Sequence, residues 1–172
     1  MAKINSKNKG NTMERKVAKM LSEWSGYQFN RTPASGGLHW KDDNSVTGDI
    51  VPPPELQFPL SIEVKKQEVP WDFDFILTGT SSLWEFYKQS ARDAHRTTDN
   101  GQYKQPIVVF SKNRRGTYVM MPVEVFHKLP QLEGERHLVI RYSDRCQAVV
   151  MDFEKMLSLV SLQEILDQIV PD

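Results

Sequence analysis

The chain has 172 residues, enough for one domain with a hydrophobic core that needs no disulfide or structural metal to hold it. Its hydrophobic content of 39% and charged content of 26% are those of a water-soluble protein, and no apolar run approaches the roughly 20 residues of a membrane helix. The formal net charge of zero conceals an asymmetry: residues Met1 to Lys41 hold eight Lys or Arg against two Glu, whereas the charged residues from Asp152 to Asp172 are five Asp or Glu against one Lys.

Residues 1–11 are rich in Lys and Asn and poor in apolar side chains, which predicts a mobile basic arm. The arm lacks the apolar stretch and small-residue cleavage site of a secretory signal, so a cytoplasmic protein is expected. From Thr12, a candidate N-cap, Met13, Val17, Met20, Leu21 and Trp24 form the apolar stripe of a helix that Gly26 closes. Tyr27 to Arg31 reads as extended chain, and Thr32-Pro-Ala-Ser-Gly-Gly37 as a loop.

Strand patterns follow at Val46–Val51, ended by Pro52, Pro53 and Pro54, and at Leu60–Lys66. Ser82 to Thr97 reads as a helix with Leu83, Trp84, Tyr87, Ala91 and Ala94 on one side. Pro106–Phe110 and Thr117–Met121 are predicted strands joined through the basic turn Lys112 to Gly116, where Lys112, Arg114 and Arg115 suit a DNA backbone or simply water. Strands at Leu138–Tyr142 and Gln147–Met151 and helical segments from Phe153 to Val170 complete the chain. Interleaved strands and helices predict an α/β fold with a central mixed sheet flanked by helices.

In Leu60-Ser-Ile-Glu-Val-Lys-Lys66 the two-residue period sets Leu60, Ile62 and Val64 on one face and Glu63 and Lys65 on the other, with the two charged residues roughly 7 Å apart. Burying such groups calls for a partner such as a metal or a phosphate, although an edge strand with a solvated Glu-Lys pair reads the same. Asp49, in Gly48-Asp49-Ile50, stands 14 residues earlier in the preceding strand pattern. Two carboxylates on neighbouring strands repel unless a cation lies between them, and oxygen ligands suit Mg²⁺, with Mn²⁺ able to substitute. Such a centre fits phosphodiester hydrolysis, with Lys65 orienting the attacking water or stabilising transition-state charge.

Gly-Asp-Ile followed by Ile-Glu-Val-Lys resembles the bipartite motif of the PD-(D/E)XK nuclease superfamily, with Gly48 where the motif often has Pro. Glu14, in Thr12-Met-Glu-Arg-Lys16, resembles the additional acidic residue of archaeal-type and phage Holliday junction resolvases, though a Glu in a first helical turn also favours the helix dipole. The Arg31 to Gly37 loop is similar to those enzymes' Arg-containing Ser-Gly-Gly loop and comes in the same order. The resemblance implies a restriction-endonuclease-like core over 12–121; residues 122–172 match no part of it and are expected to form a C-terminal α+β extension packed on that core.

It further implies Glu14, Asp49, Glu63 and Lys65 as catalytic residues, with Asp49, Glu63, Glu14 and the Val64 backbone carbonyl holding the metal. Arg31 and Ser35 become phosphate contacts, and Gln89, Lys88 and Arg92 on the following helix become auxiliary or DNA-binding residues, where the bland alternative is an exposed polar helix face. The expected function is structure-selective cleavage of branched DNA in recombination or repair, by a homodimer with two active sites. A restriction-like, repair or nicking enzyme acting on duplex DNA is the second reading, and a non-catalytic DNA-binding or assembly module the third. The histidines show no ligand-like spacing, with only His39, beside Trp40 and Lys41, worth following, and the single Cys146 reads as a semi-buried strand residue.

Overall fold

The structure, a computed structural model, describes residues 6–32, 47–66, 76–79, 81–95, 103–112, 115–143 and 146–169. Ser35, His39 and Arg114 lie outside the described residues. Helix α1 spans Ser6–Ser25 and buries Met13, Val17, Ala18 and Leu21. It ends at Gly26, whose φ of 75° lets its amide donate to Ser22 O at 3.0 Å. The helix begins six residues before the predicted cap, so residues 6–11 are helical and Thr12 is not an N-cap. With the apolar stripe docked, each added residue costs only propagation, which even Gly and Asn meet at modest expense.

Strands β1 (Asn30–Arg31) and β2 (Ile50–Val51) form a small antiparallel pair. Strand β3 (Leu60–Lys66) runs parallel to β4 (Gln105–Ser111), and the connection between them passes through α2 (Ser82–Ala94). Antiparallel β5 (Thr117–Pro122), the short helix α3 (Val123–His127), a 3₁₀ turn at Pro130–Leu132, and strands β6 (His137–Ser143) and β7 (Cys146–Asp152) follow. The five-stranded sheet has the order β3-β4-β5-β7-β6. The fold is thus α/β with a mixed sheet flanked by helices, as expected, and β6 and β7 extend the sheet that carries β3.

The sheet has two buried faces. On one, Ile62, Val64, Val109, Met121 and Val149 pack with α1 and with the C-terminal helices α4 (Phe153–Leu159) and α5 (Leu162–Gln168). On the other, Val108, Phe110 and Met120 pack under Leu83, Trp84 and Tyr87 of α2. Trp24 Nε1 donates to Val160 O at 2.7 Å, tying α1 to the break between α4 and α5. That break divides the predicted C-terminal helical stretch: Val160 is extended, and Ser161 starts α5 with a capping box closed by Glu164.

Candidate active site

Alternation along β3 sends Leu60, Ile62 and Val64 into the core under α1 and turns Glu63 and Lys65 toward α2. Glu63 is only 5% exposed, an expensive place for a carboxylate without compensation. Lys65 supplies it, its Nζ pairing with Glu63 Oε1 while lying 5.6 Å from the centre of the Phe86 ring on α2.

The second carboxylate reaches β3 through Gly48. This glycine forms a parallel bridge with Ile62 at a φ of 75°, and a Cβ there would stand 2.4 Å from Ile62 O. Proline, with φ locked near −65°, cannot adopt that conformation. The departure from the usual motif at Gly48 therefore has a local cause: the backbones touch. It also shortens β2 relative to the predicted Val46–Val51, because the left-handed residue interrupts the extended chain just before Asp49, and Pro52 and Pro53 follow directly after Val51.

Asp49 is then pinned three ways. Its amide donates to Ile62 O at 2.8 Å, its Oδ2 accepts from Val64 N at 2.8 Å, and its carbonyl accepts from Thr32 N at 2.8 Å. Burial, and next the neighbouring Glu63 carboxylate, push its pKa up to about 6, against the pull of the Val64 amide and Lys65; Glu14 adds a smaller upward push. The site concentrates negative charge that its own cations only partly balance.

Glu14 lies on α1, more than two turns from the helix start, so the helix-dipole role open to a first-turn Glu does not apply. Its Oε2 accepts from Arg31 Nε at 2.8 Å, and Arg31 Nη2 donates to Asn11 Oδ1 at 3.1 Å. Arg31 itself sits on β1 opposite Ile50 of β2, one residue from the Thr32–Asp49 bond. The structure thus joins two residues expected to act separately. Thr32, whose Oγ1 donates to Gly48 O at 2.8 Å, was not singled out in the sequence, since nothing in a loop threonine announces a clamp.

On α2, Gln89 is half-buried and Arg92 exposed. Lys88 pairs with Glu85 at 2.5 Å and lies 5.4 Å from the Tyr142 ring on β6, directed away from the acidic cluster. Among the described residues, no group of three His, Cys, Asp or Glu side chains is arranged to hold a metal ion. Glu14 and Glu63 are each turned to a cation of the protein's own. The donor chemistry nevertheless suits a hard divalent cation: the Glu63 carboxylate helps raise the proton affinity of Asp49, and the Val64 carbonyl, which shares the direction of its Asp49-bound amide, opens on the same strand edge.

Residues 5–167 match the family model described as "Phage putative PDDEXK endonuclease". Protein D14 of Escherichia phage T5 is 25% identical over 171 residues, a match covering 95% of this chain and 98% of the relative. Among solved structures, Hjc, a Holliday junction resolvase from the archaeal hyperthermophile Archaeoglobus fulgidus, is 16% identical; the match covers 93% of this chain and 97% of that chain with a TM-score of 0.38.

Proposed function

Because the chain belongs to the phage PD-(D/E)XK endonuclease family, we propose that it is a metal-dependent DNA endonuclease that hydrolyses phosphodiester bonds in branched DNA at Asp49, Glu63 and Lys65. The observation that carries this reading is the pairing of Asp49 with Glu63, whose mutual repulsion helps lift the Asp49 pKa to about 6. A divalent cation between them relieves that repulsion.

Asp49, Glu63 and the Val64 carbonyl would hold Mg²⁺ or Mn²⁺, with Glu14 as a further ligand. When bound, the ion supplies Lewis-acid polarisation of the phosphate and a more acidic water. Asp49 is fixed for its part by the Ile62 and Val64 hydrogen bonds, so a ligand oxygen is positioned before substrate arrives. Lys65, paired with Glu63 in a largely buried setting, stabilises the negative charge that develops on the phosphoryl oxygens. Arg31 and Ser35 contact substrate phosphates, with Gln89, Lys88 and Arg92 on the flanking helix as auxiliary DNA contacts.

The reading of branched DNA over plain duplex rests on the resolvase-like order of Glu14, the Arg31 loop and Asp49 along the chain, and Glu14 acts electrostatically on Asp49. Symmetric cutting of a junction calls for two active sites and hence a homodimer. The test is Mg²⁺-dependent cleavage of a four-way junction beside a matched linear duplex, with Glu63→Ala as the control. Selective junction cutting is expected. Equal cutting of both, or sequence-dependent cutting of the duplex, replaces the junction reading with a duplex endonuclease, and activity unchanged in Glu63→Ala removes the catalytic assignment.

A further inference from the structure

Arg31 occupies an unusual position for a residue expected to meet substrate: it is already engaged. Its Nε donates to Glu14 Oε2 at 2.8 Å, with both side chains mostly shielded from water, and its Nη2 donates to Asn11 Oδ1. The backbone of β1 holds it in register with Ile50, next to Asp49. Glu14 is close enough to Asp49 to raise the latter's proton affinity, yet its carboxylate is committed to the guanidinium.

We infer that Arg31 is a positioning residue that latches Glu14 away from the metal until a DNA phosphate takes over the guanidinium. Guanidinium binds phosphate and carboxylate through the same planar fork, so the two anions compete for it directly. A phosphate that draws Arg31 off releases Glu14 beside Asp49, and the site gains a third carboxylate when substrate is present. Metal and DNA then bind cooperatively, and by linkage each strengthens the other equally. The inference rests on the proposed metal centre at Asp49 and Glu63.

Calorimetric titration of the full chain with Mn²⁺, without DNA, reads the latch. Arg31→Gln is expected to bind Mn²⁺ about tenfold more tightly than the unaltered protein, within the usual span of coupling between sites. Loss of a nearby positive charge alone produces some gain, so the same substitution is repeated in a Glu14→Gln background. The latch requires the gain to shrink there to the remainder left by the lost charge, less than half of its original size on a logarithmic scale, whereas a gain that keeps half or more of that size overturns it. Asn11→Ala removes only the tether on Arg31 and is expected to shift affinity in the same direction by about two- to threefold, the worth of one modest hydrogen bond. Its folding is secure because Ala is the best helix former, so the test survives if Arg31→Gln fails to fold.

A phosphorothioate four-way junction that resists cleavage tests the trigger. It is expected to tighten Mn²⁺ binding more in the unaltered protein than in Arg31→Gln, and an equal increment in both overturns the role of phosphate. The underlying reading fails separately: if Asp49→Asn and the unaltered protein titrate alike with Mn²⁺, there is no metal centre at Asp49. If Mn²⁺ binding depends on Asp49 but ignores both Arg31 and Asn11, only the latch is lost.

Discussion

Asp49 and Val64 are joined by a side-chain-to-backbone hydrogen bond of 2.8 Å, which extends the link made by the Asp49 amide to Ile62 O two residues earlier on β3. Asparagine at position 49 keeps an oxygen for Val64 N while removing the charge that opposes Glu63. Asp49→Asn is therefore expected to preserve the fold, to unfold at the same or a higher temperature at neutral pH, and to lose metal binding and at least about a hundredfold in cleavage rate. Thermal melting beside a nicking assay checks it. Activity retained within a factor of about two would remove Asp49 from the chemistry.

The raised Asp49 pKa gives a pH dependence with a definite sign. The folded value of about 6 exceeds the ordinary 3.8, so between them the native state holds a proton that the unfolded chain has released. Stability from this group consequently falls as pH rises from about 4 to 6 and stays low above that. The melting-temperature gap between Asp49→Asn and the unaltered protein, both metal-free, should open across this window and close toward its acid end. Metal binding runs the other way: below about pH 6 a proton competes for Asp49, and Mn²⁺ affinity should drop by up to about tenfold per pH unit. Affinity independent of pH from about 5 to 7 would contradict the assignment of Asp49 as a ligand.

Gly48 and Gly26 share a φ of 75° but differ in surroundings: a Cβ at Gly48 meets Ile62 O at 2.4 Å, whereas one at Gly26 meets nothing within 4 Å. Alanine at 26 pays only for the left-handed backbone, about 1 kcal/mol, while alanine at 48 must also push β3 away, for a total of at least about 2 kcal/mol. Gly48→Pro, which restores the residue common in the wider motif, is expected to be worse still. Urea denaturation of the three variants orders them, and equal losses for the two alanine variants would show that the close approach carries no energy.

Much of this arrangement was legible in the residues. The two-residue period of β3 separated Glu63 and Lys65 from the core, and the bounds of that strand are those observed. The stripe of Met13, Val17 and Leu21 located α1, although the Lys- and Asn-rich start hid its first turns, because propensity is weak against a docked helix. The Ser161-to-Glu164 capping box that marks the break after α4 was not read from the residues, which gave only helical segments from Phe153 to Val170. What pattern alone does not carry is non-local pairing. The Glu14–Arg31 bond depends on β1 meeting β2, and the place of β6 and β7 in the sheet depends on strand order, neither of which has a local signature.

The Glu63–Lys65 pair separates stability from chemistry. Glu63 has 6% of its side chain exposed and Lys65 18%, so removing the lysine leaves a buried carboxylate facing Asp49. Lys65→Met is expected to cost about 3 kcal/mol, most of it the penalty of the stranded charge rather than the worth of the pair. Two independent manipulations should recover that loss. Glu63→Gln in the same chain removes the stranded charge, so the double variant should be more stable than Lys65→Met alone. A divalent cation at about a hundred times its dissociation constant should return close to 3 kcal/mol, because it binds only the folded carboxylate pair. Chemical denaturation with and without Mn²⁺ measures both. Rescue by Glu63→Gln without rescue by metal would mean that the carboxylates serve the fold and hold no cation, whereas rescue by both, with cleavage still absent, assigns Lys65 to the chemical step and the carboxylates to the ion.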